Sequence, residues 1–327
     1  MKKIYLLATD ISSMPNICTA IDLFSTANIL CNMQSPGTPP MFELKIVAPD
    51  KISGTYCNGL DVSINNGLKP FEKADIVIAA GFIYRNIAEL VEKVQNSEKS
   101  VNWLRRQYES EAIVCAACSG TVLLAEAKLL DNITTTTSWW LDDFYRKHYP
   151  KVKLNIDQML VEHNRIITAG AATSFFNLIH AIIKKTAGSQ LALTYSKMML
   201  IDVNKRSQAQ YAMHNPVFDH SDNMIANVQL YLNKHFQNKI DIKKMASHHA
   251  VSYRTFIRRF AKATGVSPTK YLQRIKIEAA KSLLETSDLN MDSIMERVGY
   301  SDPASFSQLF KKITQLTPTA YRKKFLQ

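Results

Sequence analysis

The sequence predicts two domains of different fold class: an α/β domain built on a doubly wound sheet, followed by an all-α domain. Two observations support this prediction. Over the first 205 residues, short apolar runs rich in β-branched side chains alternate with segments long enough for helices, which is typical of parallel sheets. In the last third of the chain, a segment with helical spacing of its apolar residues occurs twice, 50 residues apart.

Size and composition are those of a globular protein. A chain of 327 residues exceeds one ordinary domain, and its residues are 46% hydrophobic and 21% charged. No apolar run approaches the roughly 20 residues that cross a bilayer, and the first run ends at Asp10, too early for a signal peptide. The 5 cysteines are odd in number and irregularly spaced. We therefore expect a cytoplasmic protein without a membrane span.

The positive charge is concentrated at the C-terminal end. The whole chain has a net charge of +12, and residues 221–327 contribute +10 of it, with 18 Lys and Arg against 8 Asp and Glu. Cationic side chains displace the counterions that condense on phosphates, so this distribution is typical of a domain that binds a polyanion. A solvated basic surface would carry the same charge, and charge alone does not separate the two interpretations.

Four apolar runs of the N-terminal part are predicted strands: residues 3–9, 42–48, 74–80 and 112–117. Ligands bind at the carboxyl ends of the strands in such sheets. Cys118 and Ser119 directly follow the fourth run and precede the helical segment "TVLLAEAKLL". A side chain on this kind of strand-to-helix turn is exposed near a helix N-terminus, as a nucleophilic cysteine requires. Cys115 lies inside the predicted strand and is poorly placed for a redox pair with Cys118.

The C-terminal repeat predicts two helix-turn-helix units. Ser252 and Asp302 are predicted N-caps, and each is followed by two Phe residues four apart that face a core. A shorter helical segment precedes each cap, and Gly299 permits the tight turn of the second copy. Segment 267–287 is predicted to be a long helix that joins the units. Eight positions align at the offset of 50: Ser252, Phe256, Phe260, Lys262, Thr264, Pro268, Thr269 and Tyr271 with Asp302, Phe306, Phe310, Lys312, Thr314, Pro318, Thr319 and Tyr321.

The stretches "VSYRTFIRRFAKATGVSPTKYLQRIKIEAAKSLL" and "VGYSDPASFSQLFKKITQLTPTAYRKKF" closely resemble the DNA-binding domain of AraC/XylS-type transcription regulators. The resemblance covers about 100 residues. It implies a sequence-specific regulator whose partner is double-stranded promoter DNA, with RNA polymerase as a further candidate. In such domains the second helix of each unit meets base edges and phosphates. Two such helices on a rigid spacer can enter successive major grooves, about 34 Å apart.

By position, the predicted DNA contacts lie in these second helices. Arg254 and Arg258 are candidates for reading guanine, because a guanidinium makes bidentate contacts, although either could contact a phosphate instead. Pro303 and Ala304 stand where relatives often carry a larger polar side chain, so the second helix is expected to read less sequence. Six further cations are predicted to contact phosphates or to add to the positive electrostatic field of the domain: Arg259, Lys311, Lys312, Arg322, Lys323 and Lys324. The remaining predicted contacts are Tyr253, Ile257, Ser305, Ser307 and Gln308.

Residues 1 to about 210 resemble the DJ-1/PfpI branch of the class I glutamine amidotransferase-like fold, in the form fused to AraC-type domains in GlxA-like regulators. The resemblance rests on the Cys118 stretch, "LLDNITTTTSWW", "IITAGAATSFFNLIHAII" and "KRSQAQY". It implies a flavodoxin-like sheet. Enzymes of this fold pair the cysteine with a histidine, but Ser119 and Ser138 occupy the two usual histidine positions, and Asn177 stands where relatives carry an aspartate. We therefore expect no enzyme activity, no catalytic residue and no cofactor.

A ligand pocket at the strand ends is expected instead. By resemblance, Asp22 takes roughly the place of the acidic residue that touches the cysteine in relatives, and the effector is amino-acid-like or a quaternary amine. Ligand binding would shift the arrangement of a homodimer. Two alternatives stay open: an active cysteine hydrolase or glyoxalase-like enzyme, or a domain used purely for dimerisation. The predicted pocket residues are Asp22, Gly81, Cys118, Ser119, Ser138 and Trp139.

A polar, turn-rich segment around residues 204–223 separates the predicted α/β part of the chain from the basic, helical part. The predicted organisation is a sensing or dimerisation domain at 1–205, a linker at 206–222 and a DNA-binding domain at 223–327. The histidines of the linker and of the first helical unit have no Cys or acidic residue at ligand spacing, so no metal site is expected. These histidines are His214, His220, His248 and His249.

Overall fold

The computed structural model describes residues 1–9, 12–49, 52–56, 60–64, 67–69, 72–204, 207–213 and 220–326. The chain forms two compact units, Met1–Gln208 and Ala209–Gln327. The predicted linker therefore contributes to both units. Its exact limits stay a prediction, because Lys205, Arg206 and residues 214–219, with His214 among them, lie outside the described residues.

The first unit alternates strands and helices along the chain. Its strands are β1 (Lys2–Leu7), β2 (Phe42–Val47), β3 (Ile52–Tyr56), β4 (Leu60–Ile64), β5 (Ile76–Ala79), β6 (Ile113–Ala117), β7 (Thr134–Thr135), β8 (Lys153–Leu154), β9 (Leu160–His163) and β10 (Ile166–Ala169). Its helices are α1 (Met14–Gln34), α2 (Ile87–Gln95), α3 (Glu98–Glu109), α4 (Thr121–Glu126), α5 (Asp142–His148), α6 (Ser174–Ala187) and α7 (Ser189–Met198).

A six-stranded sheet in the order β2-β1-β5-β6-β10-β9 organises this unit. Its pairs are parallel except β10 with β9, and β3 with β4 forms a separate antiparallel ribbon. Side chains along a strand point alternately into two apolar layers. In β1, Ile4 and Leu6 face α1, α6 and α7, while Tyr5 and Leu7 face α2 to α5. Helices on both faces of a mainly parallel sheet confirm the doubly wound α/β fold.

The second unit is helical. Its helices are α8 (Asn223–His235), α9 (Ile242–His248), α10 (Tyr253–Thr264), α11 (Pro268–Thr286), α12 (Met291–Arg297), α13 (Pro303–Thr314) and α14 (Pro318–Phe325). Helices α9 and α10 form the first helix-turn-helix unit, and α12 and α13 form the second. The predicted long connecting helix is α11, whose 19 residues give a length of about 28 Å.

The repeat folds as the sequence predicts. The Ser252 hydroxyl accepts the N–H of Thr255, and the Asp302 carboxylate accepts the N–H of Ser305, so both predicted caps are confirmed. All four repeated Phe side chains are buried: Phe256, Phe260, Phe306 and Phe310. Gly299 has φ +71, and a Cβ there would lie 2.0 Å from the Gln237 carbonyl oxygen, so glycine is required in this turn.

Two apolar cores fill the helical unit, one under each repeat. Helix α11 supplies Tyr271 and Ile275 to the first core and Ile277 and Leu284 to the second. Phe236, after the end of α8, packs against both cores. The two helix-turn-helix units are thus parts of one packed body.

No helix in the described part of the chain is long and apolar enough to span a membrane.

Candidate functional site: nucleic-acid interface and Cys118 turn

The N-terminal half of α10 exposes a basic surface. Arg254 and Arg258 are exposed and lie one helical turn apart, on the side opposite the buried Phe256 and Phe260. Tyr253, at the first helical position, is 46% exposed. Ile257 is half-buried because it packs against the first core. Helix α10 therefore presents two guanidinium groups beside an aromatic ring.

Arg259, although predicted to serve DNA phosphates, is engaged within its own unit. Its Nε and Nη2 atoms donate to the Asp222 carboxylate at 2.9 and 2.7 Å, a bidentate ion pair. This hydrogen bonding lowers the pKa of Asp222. Asp222 also accepts the N–H of Ile225 and so caps α8. The pair fixes α10 against the start of α8, and a phosphate contact by Arg259 stays a prediction.

The corresponding part of α13 is exposed but carries less charge. Asp302 caps the helix, and Ser307, half-buried, is the least exposed of the predicted contacts here. The others are all exposed: Pro303, Ala304, Ser305, Gln308, Lys311 and Lys312. The basic side chains of α13 lie in its last turn, about 12 to 14 Å from its start. Beyond the Asp302 carboxylate, the first turns of this helix therefore present uncharged side chains.

Two of the predicted C-terminal cations make contacts inside the helical unit. An Nη atom of Arg322 donates to the Leu289 carbonyl at 2.6 Å, and Lys324 Nζ donates to Gln210 Oε1 at 3.0 Å. The ring of Tyr211 packs edge-on against Phe325 at 5.5 Å between centroids. These contacts fix the segment 209–211 against α14, a role that the charge pattern did not indicate.

Cys118 occupies the sharp turn between β6 and α4, as predicted from the sequence. Its φ of +55 is in the left-handed region, which is unusual for a residue with a side chain. The Cys118 N–H donates to the Gly170 carbonyl at 2.9 Å, and the Cys118 carbonyl accepts the hydroxyls of Thr121 at 2.8 Å and Thr137 at 3.0 Å. The β10 end and the segment after β7 thus hold the turn in this conformation.

The thiol of Cys118 is surrounded by serine hydroxyls. The Ser138 hydroxyl donates to the Cys118 sulfur at 2.9 Å, and the Ser119 hydroxyl lies 3.9 Å from it. Ser119 is committed to the backbone of Phe82, whose N–H it accepts at 2.7 Å and whose carbonyl it reaches at 3.1 Å. The two serines at the usual histidine positions therefore do lie beside the cysteine.

Glycines allow β5 and the Cys118 turn to approach closely. A Cβ on Gly120 would lie 2.5 Å from the Ala80 carbonyl oxygen, and one on Gly81 would lie 3.3 Å from Cys118 Cβ. The Gly81 position would also place a Cβ 3.1 Å from the Asn16 amide nitrogen. Asn16, at the start of α1, is thus a neighbour of the turn that the sequence argument missed.

Asp22 does not share the position of Asn16. It is exposed and lies six residues further along α1, which is about 9 Å along the axis and on a different side of the helix. Its contact with the cysteine stays a prediction without a supporting distance. Trp139 is half-buried and packs edge-on against Trp140, with 5.2 Å between ring centroids.

Tyr84 is a second residue at the turn that the sequence argument missed. Its hydroxyl accepts the indole N–H of Trp140 at 2.8 Å. Burial raises the pKa of Tyr84 to about 12; the Trp140 hydrogen bond opposes this rise and the nearby Cys118 thiol adds to it. Tyr84, on the loop after β5, and Trp140, just before α5, belong to distant segments, so only the folded chain shows that they pair beside the cysteine.

Gln208 connects the Cys118 turn to the last residues of the first unit. This side chain is 2% exposed. Its amide nitrogen donates to the carbonyls of Thr137 at 2.7 Å and Gln158 at 3.2 Å, and its oxygen accepts the N–H of Ala171 at 3.0 Å. Thr137 and the segment 170–171 are the groups that also hold the Cys118 backbone. The quoted stretch "KRSQAQY" therefore contains a buried support of the turn.

The Cys118 thiol has no base beside it among the residues that the structure describes. In the described part of the chain, the polar side-chain atoms within hydrogen-bonding distance of the Cys118 sulfur are serine hydroxyls, which do not accept a proton at neutral pH. The histidines of this unit lie elsewhere: His148 stacks on Phe144, His163 ends β9 and His180 lies in α6. Ser119 and Ser138 are buried and Cys118 is half-buried, so the thiol is the group of these three that a ligand can reach.

Comparison with known proteins agrees with both parts of this description. Residues 40–185 match the DJ-1/PfpI family, and residues 245–324 match a family described as a helix-turn-helix domain. The chain is 24% identical over 267 residues to the HTH-type transcriptional regulator CdhR of Pseudomonas aeruginosa, covering 81% of this chain and 77% of the relative. It is 26% identical over 213 residues to the HTH-type transcriptional regulator GlxA of Rhizobium meliloti, covering 63% and 64%.

Among solved structures, Drosophila melanogaster DJ-1beta superposes with a TM-score of 0.50 at 13% identity, over 62% of this chain and 98% of that one. This likeness shows the fold of the first unit. The sequence-based assignment of both domains is confirmed.

Proposed function

The chain unites a DJ-1/PfpI-family domain with an AraC-type helix-turn-helix domain, as GlxA-like regulators do, and from this premise we propose a transcription regulator controlled by a small molecule. The observation that carries the DNA-binding part is the exposed basic face of α10, set on a repeated helix-turn-helix core. The Cys118 turn supports the part about the small molecule.

DNA contact is assigned to the two second helices of the repeat. Helix α11, about 28 Å long, connects the two units and contributes to both cores, and two helices held in this way can enter successive major grooves, which lie about 34 Å apart. Arg254 and Arg258 approach base edges, while Lys311 and Lys312 approach phosphates. The similarity to HTH-type transcriptional regulators along 81% and 63% of this chain supports this assignment.

Binding of the full chain to promoter DNA, measured by fluorescence anisotropy against salt concentration, tests the DNA-binding part. We expect tight binding, and the logarithm of the binding constant should fall linearly with the logarithm of the salt concentration. Arg258→Ala should weaken binding by about 10-fold, while Lys197→Ala, an exposed cation on α7, should leave it unchanged. Equal effects of the two substitutions, or no binding at low salt, would contradict the proposal.

The first unit is assigned to ligand sensing without catalysis. The described residues place serine hydroxyls and no base within hydrogen-bonding distance of the Cys118 sulfur, which supports this assignment. Ser119 and Ser138 are buried, so the half-buried Cys118, Tyr84 and Asn16 are the groups here that offer hydrogen bonds to a ligand. By family resemblance, amino acids and quaternary amines are the first classes to test. Binding at this turn would shift the population of dimer arrangements.

Tryptophan fluorescence of the full chain tests ligand sensing, because the 3 tryptophans, Trp103, Trp139 and Trp140, all lie in the first unit. A bound amino acid or quaternary amine should raise the melting temperature of this signal and change DNA affinity. A panel without any shift would favour a dimerisation domain. Turnover of an ester or glyoxal that disappears in Cys118→Ala would favour an enzyme.

The proposed active form is a cytoplasmic homodimer that contacts promoter DNA and, as a candidate, RNA polymerase. Analytical ultracentrifugation of the full chain tests the oligomeric state, and a monomer at micromolar concentration would contradict the dimer.

A further inference from the structure

The repeat allows the reading positions of the two second helices to be compared one by one. Counted from the first helical residue, Arg254 and Ala304 hold the second position, and Arg258 and Gln308 hold the sixth. All four side chains are exposed, and each set lies opposite its buried Phe pair. Because both helices are capped at the same position and bury a Phe pair at the same two positions, the second and sixth positions face outward equivalently.

The two reading faces differ strongly in charge. Residues 252–259 contain three arginines and no acidic residue, whereas residues 302–309 contain Asp302 and no basic residue. One of the three, Arg259, is bound to Asp222. Arg254 and Arg258 make no ion pair with any described residue. Two guanidinium groups without an ion-pair partner therefore lead α10, whereas the start of α13 carries the Asp302 carboxylate followed by uncharged side chains.

Each set of side chains recognises a different base pair. An arginine fits the O6 and N7 acceptors of guanine, while a glutamine amide fits N7 and N6 of adenine, and an alanine methyl packs on the thymine methyl. On α10, Arg254 and Arg258 both match guanine. On α13, Gln308 matches adenine and Ala304 matches thymine.

We propose that this protein reads an asymmetric operator, in which α10 binds a guanine-containing half-site and α13 binds an A·T half-site about 10 base pairs away. The inference rests on the proposed DNA-binding function and adds the base preference of each half-site. The second helix is thereby a reader of its own sequence class and not only a phosphate contact.

Selection of bound duplexes from a random library by the full chain, followed by sequencing, tests the proposal. The wild type should enrich guanine in one half-site and A·T in the other. Arg258→Gln should replace guanine by adenine at one position of the first half-site only. Gln308→Arg should replace adenine by guanine at one position of the second half-site only. Each change should alter the preference between the two bases by about 10- to 100-fold.

Lys262→Gln is the matched control, because this exposed cation lies in the last turn of α10 and away from the reading positions. It should weaken binding to all duplexes equally and leave the enriched bases unchanged. Guanine enriched in both half-sites, or variants that lower affinity without changing any base, would overturn the inference. Failure to retain any duplex at low salt would instead refute the proposed DNA-binding function itself.

Discussion

Replacing Gly120 by alanine is expected to destabilise the first unit strongly. The added Cβ would lie 2.5 Å from the Ala80 carbonyl oxygen and 2.6 Å from that of Ala79, whereas ordinary contacts begin at 3.4 Å. The end of β5 or the Cys118 turn must therefore move by about 0.9 Å. Ala79 and Ala80 are 0% and 1% exposed, so the strand backbone has no free space to move into.

Overpacking of a buried site costs about 1 to 3 kcal/mol, and the clash here is with backbone atoms, which relax less than side chains. We expect the free energy of unfolding to fall by about 3 kcal/mol. For a unit of this size, the melting temperature should fall by about 6 to 12 °C. Gly67→Ala is the matched control, because no atom lies within 4 Å of its added Cβ, and it should change stability by less than about 1 kcal/mol.

Urea unfolding of the full chain, followed by tryptophan fluorescence, measures this effect in the first unit alone, since all 3 tryptophans lie there. Far-ultraviolet circular dichroism of the same samples follows the helices of both units, so a transition seen there but not in fluorescence belongs to the helical unit. A Gly120→Ala midpoint within error of the wild type would refute the close approach of β5 and the turn. Equal losses in Gly120→Ala and Gly67→Ala would show that the effect belongs to glycine in general.

Three further outcomes are expected. Gln208→Ala should lower the stability of the first unit by about 3 kcal/mol, because it leaves buried backbone groups without partners; the same fluorescence assay should show little change for Gln190→Ala, an exposed glutamine of α7. Asp222→Asn should destabilise the helical unit at neutral pH in circular dichroism melts; because Arg259 holds the folded pKa of Asp222 below its ordinary value, the difference from wild type should disappear as pH falls through that folded pKa. Phe260→Ala should cost about 3 to 5 kcal/mol in circular dichroism melts, since this ring is 0% exposed, and a loss under 1 kcal/mol would contradict the packing of the first core.

The sequence predicted those parts of the fold whose signal is local. Caps, turn glycines and Phe pairs are short-range patterns, so α10, α11 and α13 were predicted together with their buried faces. The apolar runs identified β1, β2, β5 and β6 for the same reason. Strand β9 escaped prediction because its "LVEH" sequence is short and half polar, as an edge strand permits.

The site was predicted less completely, because its partners come from distant parts of the chain. Ser119 and Ser138 were placed beside Cys118 by resemblance, and the structure brings them together. Tyr84 and Asn16 belong to no motif, and Gln208 lies in a stretch that the sequence marked only by resemblance, so only the folded chain brings these three residues to the turn. Arg259 was assigned to DNA by charge alone, which cannot reveal its ion pair with Asp222.

The sharing of Phe236 and α11 between the two cores also concerns how the helical unit opens. A side chain that packs on both cores loses contacts whichever core opens first, so local opening of one helix-turn-helix unit exposes apolar surface of the other. The two units therefore behave as one cooperative folding unit, in which slowly exchanging amides should be distributed over both repeats. We therefore expect melting of a single helix-turn-helix unit, with the other left intact, to be a high-energy state of this chain.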